Sequence, residues 1–453
     1  MTHLWFSSAL LPAGWAAAVR LTLSDGIITR VESGAEPAAD DERHAVAIPG
    51  LPNLHSHAFQ RAMAGLTEHG DGAARDDFWM WREAMYRSVD RLGPDDVEAV
   101  SALAFAEMLE TGFTRVGEFH YLHHDPAGRP YADPSELATR IIAAAASTGI
   151  GLTLLPAFYA HANFGGLPPA PGQRRFITDL DGFARLLEAT RRAAADLSGT
   201  VVGVAPHSLR AVTPDELREV VSLAGTGPIH IHVAEQLREV EDCLEWSGRR
   251  PVEWLLDGQG VDARWCLIHA THTTEAERSG IASREAVVGL CPITEANLGD
   301  GIFDARSFHA VGGRFGVGTD SNVLIDAAGE LRQLEYTQRL SARRRNVLAA
   351  APHWSTGRTL FEGSLRAGSQ ALGSTGVGFE PGRPADIVAL ATDHISMASR
   401  TEDRLLDGWL FAARCGAIVS VWARGRKVVA GGRHVAHEAL ERRFRTALER
   451  IRG

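Results

Sequence analysis

The chain has 453 residues, 45% of them hydrophobic and 23% charged, with a formal net charge of −10. That length allows one large core plus a smaller module, and the composition is that of a soluble globular enzyme. The acidic balance argues against nucleic acid as a general partner, and no run of about 18 apolar residues marks a membrane span.

Residues 1 to about 48 read as short strands at 4–8, 17–23 and 27–31, with Ser24-Asp25-Gly26 as a hairpin turn. These are too few to form a domain alone. From residue 46 to about 325, eight short apolar runs alternate with helical patterns. The runs are 46–48, 115–119, 151–158, 201–205, 229–233, 265–269, 286–291 and 314–318. Helices are expected at 94–111, 135–148, 180–197 and 214–224. The last has a clear start: Thr213 is the N-cap, Pro214 stands at N1 and Glu216 completes a capping box. Eight strand–helix units suggest a (β/α)8 barrel, although periodicity alone also admits an open doubly wound sheet. The segment 65–92 is a long insertion containing Phe78-Trp79-Met80-Trp81-Arg82. Two readings stay open for it: a lid over a site, or a loop anchored to the barrel rim by its tryptophans. Helices are expected again at 327–343 and 358–372, then strands at 386–391, 417–424 and 427–430. Strands at both ends of a barrel sequence imply that the termini pair into one small β-domain. The expected division is 1–48 with 380–436 as that domain, 49–379 as the barrel and 437–453 as a C-terminal helix. Arg343-Arg344-Arg345 and 441–452 read as solvated helical faces.

The N-terminus lacks the basic and apolar regions of a signal peptide. The cysteines Cys243, Cys266, Cys291 and Cys415 are scattered, without a Cys-x-x-Cys pair. Reduced thiols in a cytoplasmic protein are expected.

In barrels, catalytic side chains sit at the C-terminal ends of strands. The first strand is followed by His55 and His57, two residues apart, so that on an extended backbone both imidazoles point to one side. The fifth runs Ile229-His230-Ile231-His232-Val233-Ala234-Glu235. The sixth ends in His269-Ala270-Thr271-His272, and the eighth is followed by Thr319-Asp320-Ser321-Asn322. Three imidazoles and one carboxylate, with water at an open position, make a mononuclear hydrolytic site. His232 lies nearer the strand end than His230, so His232 is the expected ligand and His230 the buried structural residue. The ligand set is then His55, His57, His232 and Asp320. Glu235, just past its strand, can face the water and a substrate nitrogen without being a ligand. Lys427 is the one lysine of the chain, and Pro206-His207-Ser208-Leu209-Arg210 after the fourth strand has none to bridge two ions. One divalent metal is therefore expected, Zn2+ first, with Fe2+ also suited to these donors.

The chain resembles the deaminase branch of the amidohydrolase superfamily and, more narrowly, the N-formimidoyl-L-glutamate deiminases of histidine breakdown. The blocks that carry the resemblance are LPNLHSHAFQRAMAGL (51–66), FWMWREAMY (78–86), EFHYLHHD (118–125), HSLRAVTP (207–214), HIHVAE (230–235), WCLIHATH (265–272) and CPITEANLGDGIF (291–303). HSLRAVTP, FQRAMAG and TEANLGDGIF are the specific ones; the His-x-His and Asp320 blocks mark only the superfamily. The resemblance implies a distorted (β/α)8 barrel with a β-sandwich built from both termini. It implies water attack at a formimidoyl carbon, with release of ammonia and formation of N-formyl-L-glutamate. It places the metal ligands on His55, His57, His232 and Asp320. Proton transfer falls to Glu235, with His269 beside the attacked centre and Asp320 taking a proton from the water. Substrate contacts fall to Gln60, Arg82, Tyr121, His207 and Arg210. Paired arginines suit a dianionic substrate, because each guanidinium binds a carboxylate bidentately. His123 and His124 are expected to face solvent. The expected partners are the small dianionic substrate and a second copy of the chain in a homodimer. The rival readings are a deaminase of a purine or pyrimidine base, for which Arg82 and Arg210 lack a purpose, and a catalytically silent binding protein.

Overall fold

The computed structural model describes residues 1–69, 78–351, 353–374, 376–414 and 416–452. The middle of the aromatic insertion, 70–77, and the thiol of Cys415 lie outside these residues.

The N-terminal strands are longer than their apolar cores: β1 (Thr2–Leu11), β2 (Gly14–Ser24), β3 (Ile27–Glu32) and β4 (Glu42–Pro49). Asp25 and Gly26 both have positive φ, 52° and 80°, at the tight turn joining β2 to β3. Such a turn matches the right-handed twist of the flanking strands.

The barrel strands follow: β5 (Leu51–Ser56), β6 (Phe113–His120), β7 (Gly151–Phe158), β8 (Val201–Val202), β9 (Ala205–Pro206), β10 (Ile229–Val233), β11 (Trp265–His269), β12 (Val287–Leu290) and β13 (Arg314–Val317). They pair in parallel as β5-β6-β7-β8, with β9 also on β7, and as β10-β11-β12-β13. Bridges Val204–Ile229 and Ser208–His232 join the two groups on one side, and Ser56–Asp320 joins them on the other. The sheet is therefore a closed barrel, and the open doubly wound alternative falls.

Two expectations about strands need correction. The run 46–48 is not the first barrel strand. It lies in β4, where Val46 faces Leu390 and Ile48 faces Val388 of the terminal sheet. The barrel begins only at Leu51, which pairs with Phe113. Both halves of the apolar stretch are buried on both faces, so hydrophobicity alone does not say which sheet takes which half. Gly50 makes the transition: a Cβ there would stand 2.2 Å from Thr114 Cγ2. The fourth strand is also split. β8 and β9 both pair with β7, while Val204 between them turns to Ile229.

The last strands are β14 (Ile387–Leu390), β15 (Ile418–Ala423), β16 (Arg426–Ala430) and β17 (Arg433–His434). With the N-terminal strands they form one eight-stranded sheet, ordered β17-β16-β15-β14-β4-β1-β2-β3. The sheet curls on itself. Ala385 N–H donates to Gly26 O at the β2–β3 turn, and Gly425 N–H donates to Ala385 O. Leu4, Phe6, Val19, Leu21, Ile387 and Trp422 fill the space inside the curl. Val46, Ile48, Val388 and Leu390 face the other way and join the barrel's main core.

The capping box at Thr213 and Glu216 forms as expected: Glu216 N–H donates to Thr213 Oγ1 at 3.3 Å and Thr213 N–H to Glu216 Oε2 at 2.7 Å. Arg343-Arg344-Arg345 are exposed but not helical. The helix stops at Ala342, and Arg343 adopts φ 52°. The C-terminal helix His437–Arg452 has a solvated face, but Phe444, Ala447 and Ile451 pack on Ala62, Ala99 and Val100. Among the described residues no helix is long and apolar enough to cross a membrane.

The seam between β5 and β13 matters most for the site. Asn53 Nδ2 donates to Thr319 Oγ1 at 2.7 Å, and Thr319 N–H donates to Asn53 Oδ1 at 3.1 Å. Thr319 Oγ1 donates to Asn322 Oδ1 at 2.6 Å, and Asn322 Nδ2 donates to Ser56 Oγ at 3.1 Å. Asn53, Ser56, Thr319 and Asn322 are all buried. This clamp reinforces the backbone bonds that set Asp320 beside His55: His57 N–H donates to Asp320 O at 2.9 Å, and Asp320 N–H donates to His55 O at 3.0 Å. Gly318 lets the two chains meet, since a Cβ there would lie 2.7 Å from His55 N and O. Asn53→Ala removes both of its buried hydrogen bonds to Thr319, whose N–H keeps only His55 O at 3.0 Å, so a loss of ~1–2 kcal/mol is expected. A urea midpoint equal to that of the parent would show the clamp to be idle.

Candidate active site

The ends of β5, β10 and β13 bring four donors to one point. His232 Nε2 lies 3.1 Å from His55 Nε2 and 3.4 Å from His57 Nε2. Asp320 Oδ1 lies 3.3 Å from His55 Nε2 and 3.4 Å from His57 Nε2. A tetrahedral ion with ligand bonds of ~2.0–2.1 Å has donor–donor edges of ~3.3–3.4 Å, close to these four spacings. The far nitrogens are held. His57 Nδ1 donates to Phe119 O at 2.8 Å, and His232 Nδ1 donates to His207 O at 2.9 Å. These bonds leave the Nε2 lone pairs turned inward. Burial lowers the pKa of His55, His57 and His232, which favours the neutral ring that a metal requires. His230 is elsewhere, with Nε2 donating to Ala371 O at 2.7 Å.

Beside this cluster is a buried acid–imidazole group. His269 Nε2 lies 3.7 Å from Glu235 Oε1 and 3.9 Å from Asp320 Oδ2. Burial pushes the Glu235 carboxyl up to about 7, against the pull of His269 and Arg210. For His269 burial works downward, but Glu235 and the Glu295 hydrogen bond outweigh it and carry the ring up to about 10. Asp300, buried near Glu235, is raised to about 9. The backbone is unusual at these strand ends: Ala234, His269, Ala270 and Asp320 have φ of 52°, 66°, 48° and 44°. Such strain on residues with a Cβ persists where the surroundings impose it, and it gathers at functional sites. One source is Glu239, whose carboxylate accepts the N–H groups of Ala234 and Glu235 at 3.1 and 3.2 Å.

Above these groups is a cavity. Its walls include Gln60, Arg82, Tyr121, His207 and Arg210 together with His57, His232, Glu235, His269 and Asp320. His55 lies beneath them. Gln60 Nε2 donates to Tyr121 Oη at 2.8 Å, which leaves the buried Gln60 Oε1 without a partner among the described residues. Arg210 is buried, and its Nε has no partner among the described residues. Burial works against its charge, but Glu239, Tyr159 and Glu235 outweigh it and raise its pKa. The aromatic insertion forms the helix Phe78–Val89 against one wall. Trp79 on that helix has three guanidinium groups over its ring, with Cζ at 4.4 Å for Arg82, 4.9 Å for Arg238 and 5.8 Å for Arg210.

All the site residues expected from the sequence thus border the cavity or its floor. His123 and His124 do not face solvent as expected. His123 is buried and donates to Ala157 O at 2.8 Å; His124 is half-buried and donates to Ile177 O at 2.7 Å. Each finds a carbonyl from a neighbouring segment, which sequence spacing does not reveal. Other groups at the site escape sequence reasoning. Tyr159 directly follows β7, so the strand-end rule reaches it, and its ring lies 4.4 Å from that of His207. Tyr86 stands two turns along the insertion helix from Trp79. Glu295 and Asp300 lie inside the TEANLGDGIF block, where the sequence alone gives them no role.

Comparison with known proteins agrees with this geometry. A model described as "Amidohydrolase family" matches residues 46–428. One described as "Formimidoylglutamate deiminase HutF, N-terminal domain" matches 1–45. A protein of Pseudomonas aeruginosa named formimidoylglutamate deiminase is 48% identical over 446 residues, 98% of each chain. An 8-oxoguanine deaminase of the same organism is 28% identical over 87% of each chain. A crystal structure of an amidohydrolase from Brucella melitensis is 53% identical, with a TM-score of 0.97 over 100% of both chains. With that match across the barrel, and with the 48% and 53% identical relatives spanned nearly end to end, the chain belongs to the amidohydrolase family, in the part of it that carries the HutF N-terminal domain.

Proposed function

We propose that the chain hydrolyses N-formimidoyl-L-glutamate to N-formyl-L-glutamate and ammonia. The observation that carries this reading is one cavity lined by both carboxyl and guanidinium groups. Glu235 and Asp320 line it beside the histidine cluster, and Arg82 and Arg210 line it as well. An amidinium is cationic at neutral pH and suits the carboxyl groups. Two carboxylates suit the arginines, which bind them bidentately. The relative named formimidoylglutamate deiminase, 48% identical over its length, supports the same substrate. A purine base carries no carboxylate for these arginines.

The residues then divide the work. The Nε2 atoms of His55, His57 and His232, with Asp320 Oδ1, would hold one divalent ion, zinc in this proposal. When bound, such an ion supplies Lewis acidity and brings the ionisation of water toward neutrality. Asp320 Oδ2, on the side away from His55 and His57, takes the proton of the attacking water. His269 Nε2, 3.9 Å from that oxygen, donates toward the charge that develops at the attacked centre. Glu235 delivers a proton to the departing nitrogen, a task suited to an acid ionising near neutrality. Gln60 and Tyr121 present a preformed polar edge, and Arg210, already desolvated, loses little further hydration on meeting a carboxylate. Localisation in the cytoplasm belongs to the same proposal, supported by Cys243, Cys266 and Cys291, which are free and buried.

Ammonia release from N-formimidoyl-L-glutamate, with N-formimidoyl-L-aspartate and guanine as controls, tests the reading. The glutamate derivative is expected to be turned over with the highest kcat/KM. Arg210→Ala is expected to lower that value by on the order of 10²-fold. Preference for guanine, or an unchanged kcat/KM in the variant, would remove the carboxylate assignment.

A further inference from the structure

Glu295 lies in the first turn of the helix Pro292–Leu298, which follows β12. Its Oε1 accepts the N–H of Cys291 at 2.8 Å and lies 3.2 Å from His269 Nδ1. Glu295 is 6% exposed and His269 is 1% exposed. Glu295 does not reach the substrate cavity; it borders a neighbouring one. The helix that carries it is tied on two sides. Ile293 N–H donates to Glu330 Oε2 at 2.9 Å, and Thr294 Oγ1 lies 3.0 Å from Ser321 Oγ, next to Asp320.

The geometry restricts what the His269 ring can do. Its backbone is left-handed, φ 66°, a conformation that a residue with a Cβ holds only with support from its surroundings. A ring whose Nδ1–H is given to a fixed carboxylate keeps one orientation, with Nε2 turned the other way. Here the other way is toward Glu235 Oε1 at 3.7 Å and Asp320 Oδ2 at 3.9 Å.

We propose that Glu295 is a positioning residue for the deimination: it holds His269 so that Nε2 faces the space between Glu235 and Asp320. This rests on the function proposed above. The tests use the full-length, metal-loaded protein. Glu295→Ala should lower kcat ~10- to 100-fold, with KM within about threefold and metal content unchanged. Glu295→Gln offers the same oxygen to both N–H groups and should recover much of the loss. In a His269→Ala background, Glu295→Ala should add less than about a twofold loss, because the two residues act as one unit. Multiplicative losses in that double variant would overturn the proposal, as would kcat and KM worsening in step without rescue by glutamine. A second readout needs no substrate. The ¹⁵N resonance of His269 Nδ1, assigned with His269→Gln, should move in Glu295→Ala while those of His55, His57 and His232 stay. A stationary His269 resonance would overturn the proposal. Failure of the substrate reading would show separately, as no ammonia from N-formimidoyl-L-glutamate with the parent protein.

Discussion

Replacing Glu235 with glutamine is expected to lower kcat by on the order of 10³-fold while one metal ion per chain is retained, the size of effect that loss of a general acid–base group produces. The substitution keeps the shape. Glu235 is buried, and its position is set by the backbone, whose N–H groups at Ala234 and Glu235 are fixed by Glu239. Glutamine fills the same space but cannot carry a proton. Its amide has no charge to lose, so burial near Asp320 and Asp300 gives no reason for the loop to move. KM should stay within a few-fold, since glutamine keeps the shape and the substrate carboxylates are assigned to Arg82 and Arg210. Ammonia release together with metal analysis decides the matter. Unchanged turnover would remove Glu235 from proton transfer, and loss of the metal with the activity would make it a support of the metal cluster instead.

Stripping the protein of divalent metal with a chelator is expected to abolish turnover, by ~10³-fold or more, and to lower the thermal midpoint. Three Nε2 lone pairs converging at 3.1 and 3.4 Å from His232, with the Asp320 carboxylate completing the set, repel one another unless a cation or a proton sits among them. A ligand present at 10³ times its Kd stabilises by ~4 kcal/mol, so the shift in midpoint should be readily measured. Adding zinc should restore both properties to the chelated parent but not to His232→Ala, which lacks one corner of the site. Full turnover by demonstrably metal-free protein would dismiss the cluster as a metal centre.

Much of this site is legible in the amino-acid sequence, for a physical reason. A barrel places the ends of its strands on one rim, so polar residues at successive strand ends converge even when far apart along the chain. His55, His57, His232, His269 and Asp320 each end or follow such an apolar run, and each lines the cavity or its floor. Position along an extended strand separates His232 from His230, whose ring is spent on Ala371 O. The substrate residues Gln60, Arg82, Tyr121, His207 and Arg210 follow from resemblance rather than from periodicity. Nothing in the local pattern tells a pocket arginine from a surface one.

The expectations that fail share a cause. A barrel strand at 46–48, solvent-facing His123 and His124 and a helical Arg343–Arg345 face all follow from local composition, and each is decided by something local composition does not hold. β4 is taken by β14, His123 by Ala157 O, and the end of the helix by the left-handed turn at Arg343.

Residue order alone determined the alternation of strands and helices, and with it the rim on which the histidines and acids meet, because period and strand-end position are properties of the chain itself. Only the folded molecule decided which nitrogen of His57 and His232 faces inward, how far burial lifts Glu235, and that Glu295 and Asp300 belong beside His269. Those depend on carbonyls, carboxylates and excluded water supplied by other segments of the barrel, and distance in space is not written in distance along the sequence.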